Sequence, residues 1–79
     1  MEAIEAVKEA AKKSGVTYAA IADAMGKRSN YISVAIRQGS SQQANTLASM
    51  LEPCGYKLAA IPSDSVPDDA LVIDPKENE

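Results

Sequence analysis

Histidine is absent from the 79 residues of this chain, and cysteine occurs only once, as Cys54. A structural zinc site needs several Cys or His ligands, so the sequence excludes one. General acid–base catalysis most often uses His, and no glycine-rich phosphate loop or convincing pair of carboxylates takes its place. We therefore predict that the protein is not an enzyme, has no catalytic residue and holds no metal or cofactor.

Long apolar runs are also absent. The N-terminal stretch MEAIEAVKEAAKKSG is too charged for a secretory signal, and no run reaches the length of a membrane span. A single cysteine cannot form an internal disulfide, and Cys54 is expected to be a small buried hydrophobic residue. These features predict a soluble, cytoplasmic protein with no membrane partner.

Trp and Phe are missing, and three Tyr are the only aromatic residues. The apolar residues are otherwise Ala, Ile, Leu, Val and Met, which suit closely packed helices. A chain of this size buries only about 60% of the surface that its unfolded form exposes, so its stability is marginal. We expect one small helical domain, to which self-association would add stability.

The net charge of −3 is unevenly distributed along the chain. Residues 1–61 hold seven basic and five acidic residues, whereas residues 62–79 hold one basic and six acidic residues. Residues 24–51 have no acidic residue and three basic ones, which are Lys27, Arg28 and Arg37. A mildly basic body with an acidic tail is compatible with nucleic-acid binding, which the total charge conceals.

Capping residues and apolar spacing predict the first two helices. The first is expected at residues 2–14, with acidic residues in its first turn, lysines in its last turn and Gly15 as a left-handed cap. Thr17 is the expected N-cap of the second helix. That helix is short and is expected to run through Met25 and end at Gly26.

Two further helices are expected before residue 55. The third begins near Ser29 and stops at Gly39. The fourth begins at about Ser41 and carries an apolar stripe as far as Leu51. The Glu52–Pro53 step is expected to fray or kink this helix, because the residue before a proline is disfavoured in helical geometry.

The character of the sequence changes after residue 55. YKLAAI at Tyr56–Ile61 and ALVID at Ala70–Asp74 are short β-prone runs, and PSDSVPDD between them is rich in turn residues. These runs predict a β-hairpin over Tyr56–Asp74. Residues 75–79 are expected to form a flexible acidic tail.

Within residues 17–39, a small residue, a glycine and an apolar residue have the spacing that two steeply crossed helices need. They are Ala22, Gly26 four positions later and Ile32 six positions beyond it. In these residues and spacings the chain resembles the lambda-repressor-like (Cro-type) helix-turn-helix family, and the resemblance covers most of the chain. The residues that match are Ile21, Ala22, Met25, Gly26, Ile32, Leu47, Ala48, Leu51, Gly55 and Tyr56.

The chain departs from that family's pattern at two places. The family usually has a bulky apolar residue at the position of Ala35, so Ile36 is expected to fill that volume. Residues 53–54 replace part of a helix end that is commonly unbroken and apolar. Together with the predicted hairpin, the resemblance implies a mainly α fold: a four-helix lambda-repressor-like helix-turn-helix domain at residues 1–55, followed by a C-terminal β-hairpin at residues 56–74.

In such families the helix after the glycine turn is the recognition helix, so the resemblance implies that Ser29–Gln38 enter the major groove of DNA. Asn30 could bond an adenine edge, and Val34 could contact a thymine methyl. Arg28 or Arg37 could contact a guanine or a phosphate. The candidate DNA-binding residues are Thr17, Tyr18, Lys27, Arg28, Ser29, Asn30, Ser33, Val34, Arg37, Gln38 and Ser40.

Several of these residues also have a plainer interpretation. Arg28 and Arg37 can be solvated surface charges, Asn30 can be a local capping residue, and Tyr18 can simply cover the helix surface. Placement on the predicted groove face favours DNA contact for the two arginines. For Asn30 and Tyr18 the two interpretations are evenly balanced.

Three functions fit these observations. We favour a sequence-specific transcriptional regulator of phage or prokaryotic type that binds double-stranded DNA as a homodimer, joined through the hairpin at Tyr56–Asp74. The alternative is an antitoxin-like or other protein-binding module, in which the acidic C-terminal part binds a basic partner. A third is a helix-turn-helix that serves as an interaction scaffold without affinity for DNA.

Overall fold

A computed structural model describes residues 1–39 and 43–75. In this part of the chain four α-helices are followed by two short 3₁₀ turns, and no residue forms a β-strand. None of the helices is both long and apolar enough to cross a membrane. The helices are α1 (Ala3–Ser14), α2 (Tyr18–Ala24), α3 (Tyr31–Gln38) and α4 (Ala44–Leu51), and the 3₁₀ turns are Glu52–Cys54 and Ser63–Ser65.

Capping residues fix both the ends of α1 and the start of α2. At the start of α1 the Glu2 backbone N–H donates to Glu5 Oε1 at 3.0 Å, and the Glu2 side chain accepts from the Glu5 backbone in return. Gly15 has a φ of 73°, a left-handed conformation that ends α1 as predicted. Thr17 Oγ1 accepts from the Ala20 backbone N–H at 3.1 Å, which confirms Thr17 as the N-cap of α2.

Other helix boundaries differ from the sequence expectation by a few residues. The second helix ends two residues before the predicted Gly26, and the third begins at Tyr31 instead of near Ser29. Both shifts lengthen the connection between α2 and α3, because the turn takes up residues that periodicity alone assigns to the helices. The fourth helix begins at Ala44, and its predicted start at Ser41 lies outside the described residues.

The fourth helix ends where the Glu52–Pro53 step was expected to disturb it. The chain tightens there into a 3₁₀ turn, since Pro53 has no backbone N–H with which to continue the α-helix. Cys54 closes this turn and is buried, with its Sγ 3.9 Å from the Met50 carbonyl O. The predictions of a helix break at this step and of a buried Cys54 are confirmed.

Each of the four helices contributes one large, fully buried side chain to a single hydrophobic core. Burying one such side chain stabilises the fold by roughly 1.5–3 kcal/mol. Small buried residues, Ala10 in α1 and Ala22 in α2, let the helix backbones approach each other. The four large side chains are Val7 in α1, Ile21 in α2, Ile32 in α3 and Met50 in α4.

Ala35 fills a buried position of α3 with only a methyl group. Ile36 beside it is half-buried and packs against the same core.

The predicted β-hairpin over Tyr56–Asp74 is wrong. Residues 56–75, here called the C-terminal segment, contain no strand and only one short 3₁₀ turn. The segment returns to the start of the chain. There the Met1 amine donates to the Val72 carbonyl O at 3.1 Å and also pairs with the Asp74 carboxylate. The Asp74 N–H donates in turn to the Met1 carbonyl O at 2.9 Å.

The second β-prone run, Ala70–Asp74, bonds and packs elsewhere instead of pairing with the first run, Tyr56–Ile61. This explains why no hairpin forms. Backbone groups of the second run bond to Met1, and its side chains Leu71 and Ile73 pack against the helical core. Pro62, at the start of the loop, and Pro67, within it, have no N–H to donate to a strand ladder. Because a lone two-stranded hairpin is only marginally stable in water, docking on the helices is favoured instead.

Candidate nucleic-acid interface

The connection between α2 and α3 is a tight turn that depends on Gly26. Gly26 has a φ of 71°, a left-handed conformation that residues with a Cβ rarely adopt. The turn is closed by hydrogen bonds from the Gly26 N–H to the Asp23 carbonyl O at 3.0 Å and from the Lys27 N–H to the Ala22 carbonyl O at 2.9 Å. Ala22 and Ile32 are fully buried on the two helices. The small residue, the glycine and the apolar residue therefore behave as their spacing predicts.

The third helix buries one side and exposes the other. Ile32 and Ala35 belong to the core, whereas Ser33, Arg37 and Gln38 are exposed to solvent. With 3.6 residues per turn, the packing of the buried side fixes which side chains face outward. The exposed side of α3 is thus a rigid surface and not a mobile loop.

A shallow depression of about 460 Å³ runs along a neighbouring side of α3, from the turn before the helix to Gln38 at its end. Five of its lining residues are among those that the sequence predicted to contact DNA. The fold therefore gathers side chains from the turn and from the helix into one surface, here called the α3 face. Its members are Lys27, Arg28, Asn30, Tyr31, Val34, Ala35 and Gln38.

Four other predicted residues lie outside the α3 face or outside the described part of the chain. Ser29 is exposed in the turn, and Ser33 and Arg37 are exposed on α3, but none of the three lines the depression. Arg37 is in the last turn of α3. Ser40 is not among the described residues.

Thr17 and Tyr18 belong to a second, separate depression at the junction of α1 and α2. Lys8 and Lys12 of α1 line the same depression, and both lysines are exposed. The sequence analysis missed these lysines because only the tertiary packing brings α1 beside the start of α2. Tyr18 is half-buried and packs against the core, which supports its plainer interpretation as a surface-covering residue.

The positive charges on and beside the α3 face have no acidic partner in the described part of the chain. Lys27, Arg28 and Arg37 are all exposed, and none forms an ion pair within residues 1–39 and 43–75. No acidic residue lies in α3 or in the turn before it. These cations can therefore attract an anionic ligand such as a phosphate.

Tyr31 is a member of the α3 face that the sequence analysis missed. The Nζ atom of Lys27 lies 5.5 Å from the centroid of its ring, which is the geometry of a cation–π contact. Tyr31 is half-buried against the core, so its ring gives the exposed lysine an anchored neighbour. A signal was available, because Tyr31, Val34 and Gln38 follow the i, i+3, i+7 spacing of one helix side.

Asn30 precedes the first residue of α3 but does not cap the helix with its side chain. Its backbone occupies the N-cap position, and its side chain makes no capping hydrogen bond. The side chain is exposed and lines the α3 face. The capping interpretation therefore loses its support, and the amide is available to a ligand. Thr17 differs, since its hydroxyl is used for capping.

A larger groove of about 730 Å³ adjoins the α3 face, and Lys27 and Tyr31 line both. Polar side chains of α4, including Asn45, Thr46 and Ser49, also line the groove. Sequence spacing does not indicate these residues, because only the tertiary fold brings them to the same groove as Lys27. Their uncharged side chains extend the supply of hydrogen-bonding groups next to the cations.

No protein-family model, curated protein or solved structure matches this chain. The chemistry of the α3 face is therefore the basis for assigning a function. That face offers two cations, two carboxamides, a phenol and one branched apolar side chain. Such side chains bind anions through charge and base edges through hydrogen bonds and methyl contacts.

Proposed function

We propose that the protein is a sequence-specific DNA-binding transcriptional regulator of phage or prokaryotic type, with α3 lying in the major groove. The observation that carries the proposal is the α3 face, where two cations and an amide of the turn lie beside an amide and an apolar side chain of a helix anchored in the core. The major groove admits an α-helix, and these side-chain types contact phosphates and base edges there. The resemblance of residues 17–39 to the lambda-repressor-like family supports the same role for α2 and α3 as a helix-turn-helix.

The chemistry of each side chain indicates which part of the DNA it contacts in this proposal. Asn30 hydrogen-bonds an adenine edge, and Val34 contacts a thymine methyl. Arg28 and Arg37 contact a guanine or a phosphate, for which the guanidinium group is suited. Lys27, held against Tyr31, contacts the phosphate backbone.

The phosphate contacts extend to the start of α2 in this proposal. Thr17 and Tyr18 share their depression with two exposed lysines, Lys8 and Lys12, which add positive charge there. Contacts of this kind fix the orientation of the protein on the duplex without reading its sequence.

The proposal includes a homodimer. Proteins that use a helix-turn-helix commonly read two half-sites about one helical turn apart, and this requires a two-fold partner. Residues 56–75 contain no strand, so the pairing of hairpin edges that suggested an interface at Tyr56–Asp74 has no support. The homodimer is proposed with its interface unassigned.

Selection from a random pool of duplex DNA at low salt tests the proposal. We expect one short sequence to be enriched, and its affinity to fall as salt is raised. Each protomer carries few charged contacts, so the salt dependence should be modest. An absence of binding at low salt would contradict the proposal.

A matched pair of variants locates the binding surface. Arg37→Ala removes a cation on α3, and Lys13→Ala removes an exposed cation from the last turn of α1, outside both depressions. We expect Arg37→Ala to weaken binding to the selected sequence much more than Lys13→Ala. Equal effects would show that the charge matters and the position on α3 does not.

A further inference from the structure

In the described part of the chain, all large apolar side chains that are exposed lie in the C-terminal segment. They are Leu58, Ile61, Val66 and Val72, and between 36% and 48% of each is exposed. The large apolar side chains of the helices, by contrast, are buried or half-buried. Contiguous exposed apolar surface is uncommon on monomeric proteins and usually marks an interaction site.

These four side chains line one groove, with a volume of about 330 Å³. Two buried residues of the helical core, Ala6 of α1 and Leu51 of α4, line it as well. The groove is therefore an apolar channel between the segment and the helices, and not a set of scattered side chains. It shares no lining residue with the α3 face.

The C-terminal segment that forms most of this groove is acidic. Residues 58–75 contain four exposed aspartates and no basic residue, and the Asp74 carboxylate pairs with the Met1 amine. None of the aspartates lines the groove itself, whose one charged lining residue is Lys57, but Asp69 and Asp74 directly adjoin the lining residues Ala70 and Ile73 in the chain. Glu2 and Glu5 are exposed at the start of α1, close to where Met1 contacts the segment. The aspartates are Asp64, Asp68, Asp69 and Asp74.

We propose that this groove binds a basic amphipathic helix of another protein, with apolar side chains in the groove and Lys or Arg beside the aspartates. An apolar groove that receives the apolar stripe of a helix is a recurrent mode of peptide recognition. Charge selects this occupant. A second copy docked face to face would bring the same aspartates together, and DNA would be repelled by them.

The proposal does not depend on DNA binding, because the groove and the α3 face have different lining residues. A labelled helical peptide of Leu and Lys, about 15 residues long and with Leu at i, i+3, i+4 and i+7, is the probe. A scrambled peptide of the same composition tests the apolar stripe. A peptide with the same stripe and Glu in place of Lys tests the charge.

We expect only the striped Leu–Lys peptide to bind, and its affinity to fall with rising salt. The double variant Ile61→Ser/Val72→Ser should weaken this binding about tenfold or more, because both side chains are exposed anchors in the groove. The triple variant Asp64→Asn/Asp68→Asn/Asp69→Asn should also weaken it while leaving the apolar groove intact. Asp23→Asn, an exposed aspartate on α2, is the matched control and should change nothing.

Arg37→Ala separates this proposal from DNA binding, since it should leave peptide binding unchanged. Failure of the striped peptide to bind would overturn the proposal. Equal binding of the scrambled peptide or of the Leu–Glu peptide would also overturn it, because the apolar stripe or the charge would then be irrelevant. If the wild-type protein sediments as a dimer that Ile61→Ser/Val72→Ser converts to a monomer, the groove belongs to a second copy and the proposal is wrong.

Discussion

The α3 face and the C-terminal segment combine apolar and charged residues in opposite ways. On α3 the large apolar side chain Ile32 is buried, and cations are exposed. In the C-terminal segment large apolar side chains such as Ile61 and Val72 stay exposed, and the charges around them are acidic. The small domain therefore carries two surfaces of opposite charge, suited to different ligands.

The two regions also differ in how they are held. The third helix shares a core with the other three helices. The C-terminal segment is attached through the partly buried side chains of Tyr56, Leu71 and Ile73 and through backbone hydrogen bonds to Leu51 and Met1. A helix in a shared core tolerates substitution of its exposed residues, because its stability comes from the buried side. The stability of the fold should depend strongly on the first region and weakly on the second.

The largest expected effect tests this difference in stability. Ile32→Ala removes a fully buried side chain and should lower the free energy of unfolding by about 2–5 kcal/mol. Val72→Ala removes a side chain that is about half exposed and should change it by about 0.5 kcal/mol or less. Denaturant unfolding of the two variants measures both values. Similar losses would mean that the segment is part of the main core.

The next largest effect is expected on DNA binding by the α3 face. Asn30→Ala should cost about 1–3 kcal/mol at the selected DNA sequence and relax the preference at one base pair. Lys27→Ala should weaken binding to all sequences about equally, since it removes a phosphate contact. Binding titrations with the selected duplex and with single-base variants measure both effects.

The control for these variants lies in the other region. Ile61→Ser changes an exposed residue of the C-terminal segment and should leave DNA affinity unaltered. If Asn30→Ala and Lys27→Ala bind like the wild type, the assignment of α3 as the recognition helix is wrong. A loss of DNA binding in Ile61→Ser would contradict the separation of the two surfaces.

A smaller effect is expected from the turn that positions α3. Gly26→Ala forces a Cβ into a left-handed conformation and should destabilise the fold by about 1 kcal/mol or somewhat more. Gly26→Asn should cost less, since Asn tolerates this conformation better. Thermal unfolding compares the two variants. Equal stability of Gly26→Ala and wild type would show that the turn adapts to the substitution.

Local rules were sufficient to predict most of the helical region. The caps at Gly15 and Thr17 depend on neighbouring residues, and the burial of Ala22 and Ile32 follows from helical spacing. Each of these features involves residues close together in sequence, where propensity and periodicity are informative. The resemblance to the helix-turn-helix family, and not these local rules, indicated five of the residues that line the α3 face.

Tertiary contacts decided what the sequence could not predict. The hairpin was predicted from two β-prone runs, but the second run bonds to Met1, more than seventy residues away in sequence. Asn45 and Thr46 line one groove together with Lys27, from which they are distant in sequence. Tyr31 shares the spacing of the α3 face, but its contact with Lys27 depends on where the turn ends.

The smallest expected effect concerns the electrostatic repulsion between the acidic C-terminal segment and DNA. Asp64→Asn/Asp68→Asn/Asp69→Asn removes three negative charges and should raise DNA affinity only slightly and about equally for all sequences at low salt. The gain should disappear near physiological salt, because exposed charges are screened beyond about 8 Å. Titrations at two salt concentrations measure it. A sequence-dependent gain would place these aspartates in the DNA interface.

The central claim is that α3 and the turn before it bind DNA while the C-terminal segment does not. Backbone amide chemical shifts of the labelled protein, recorded as the selected duplex is added, test it residue by residue. The claim predicts large shift changes from Lys27 to Gln38 and little change from Leu58 to Ile73. Changes concentrated in the C-terminal segment, with none on α3, would contradict it.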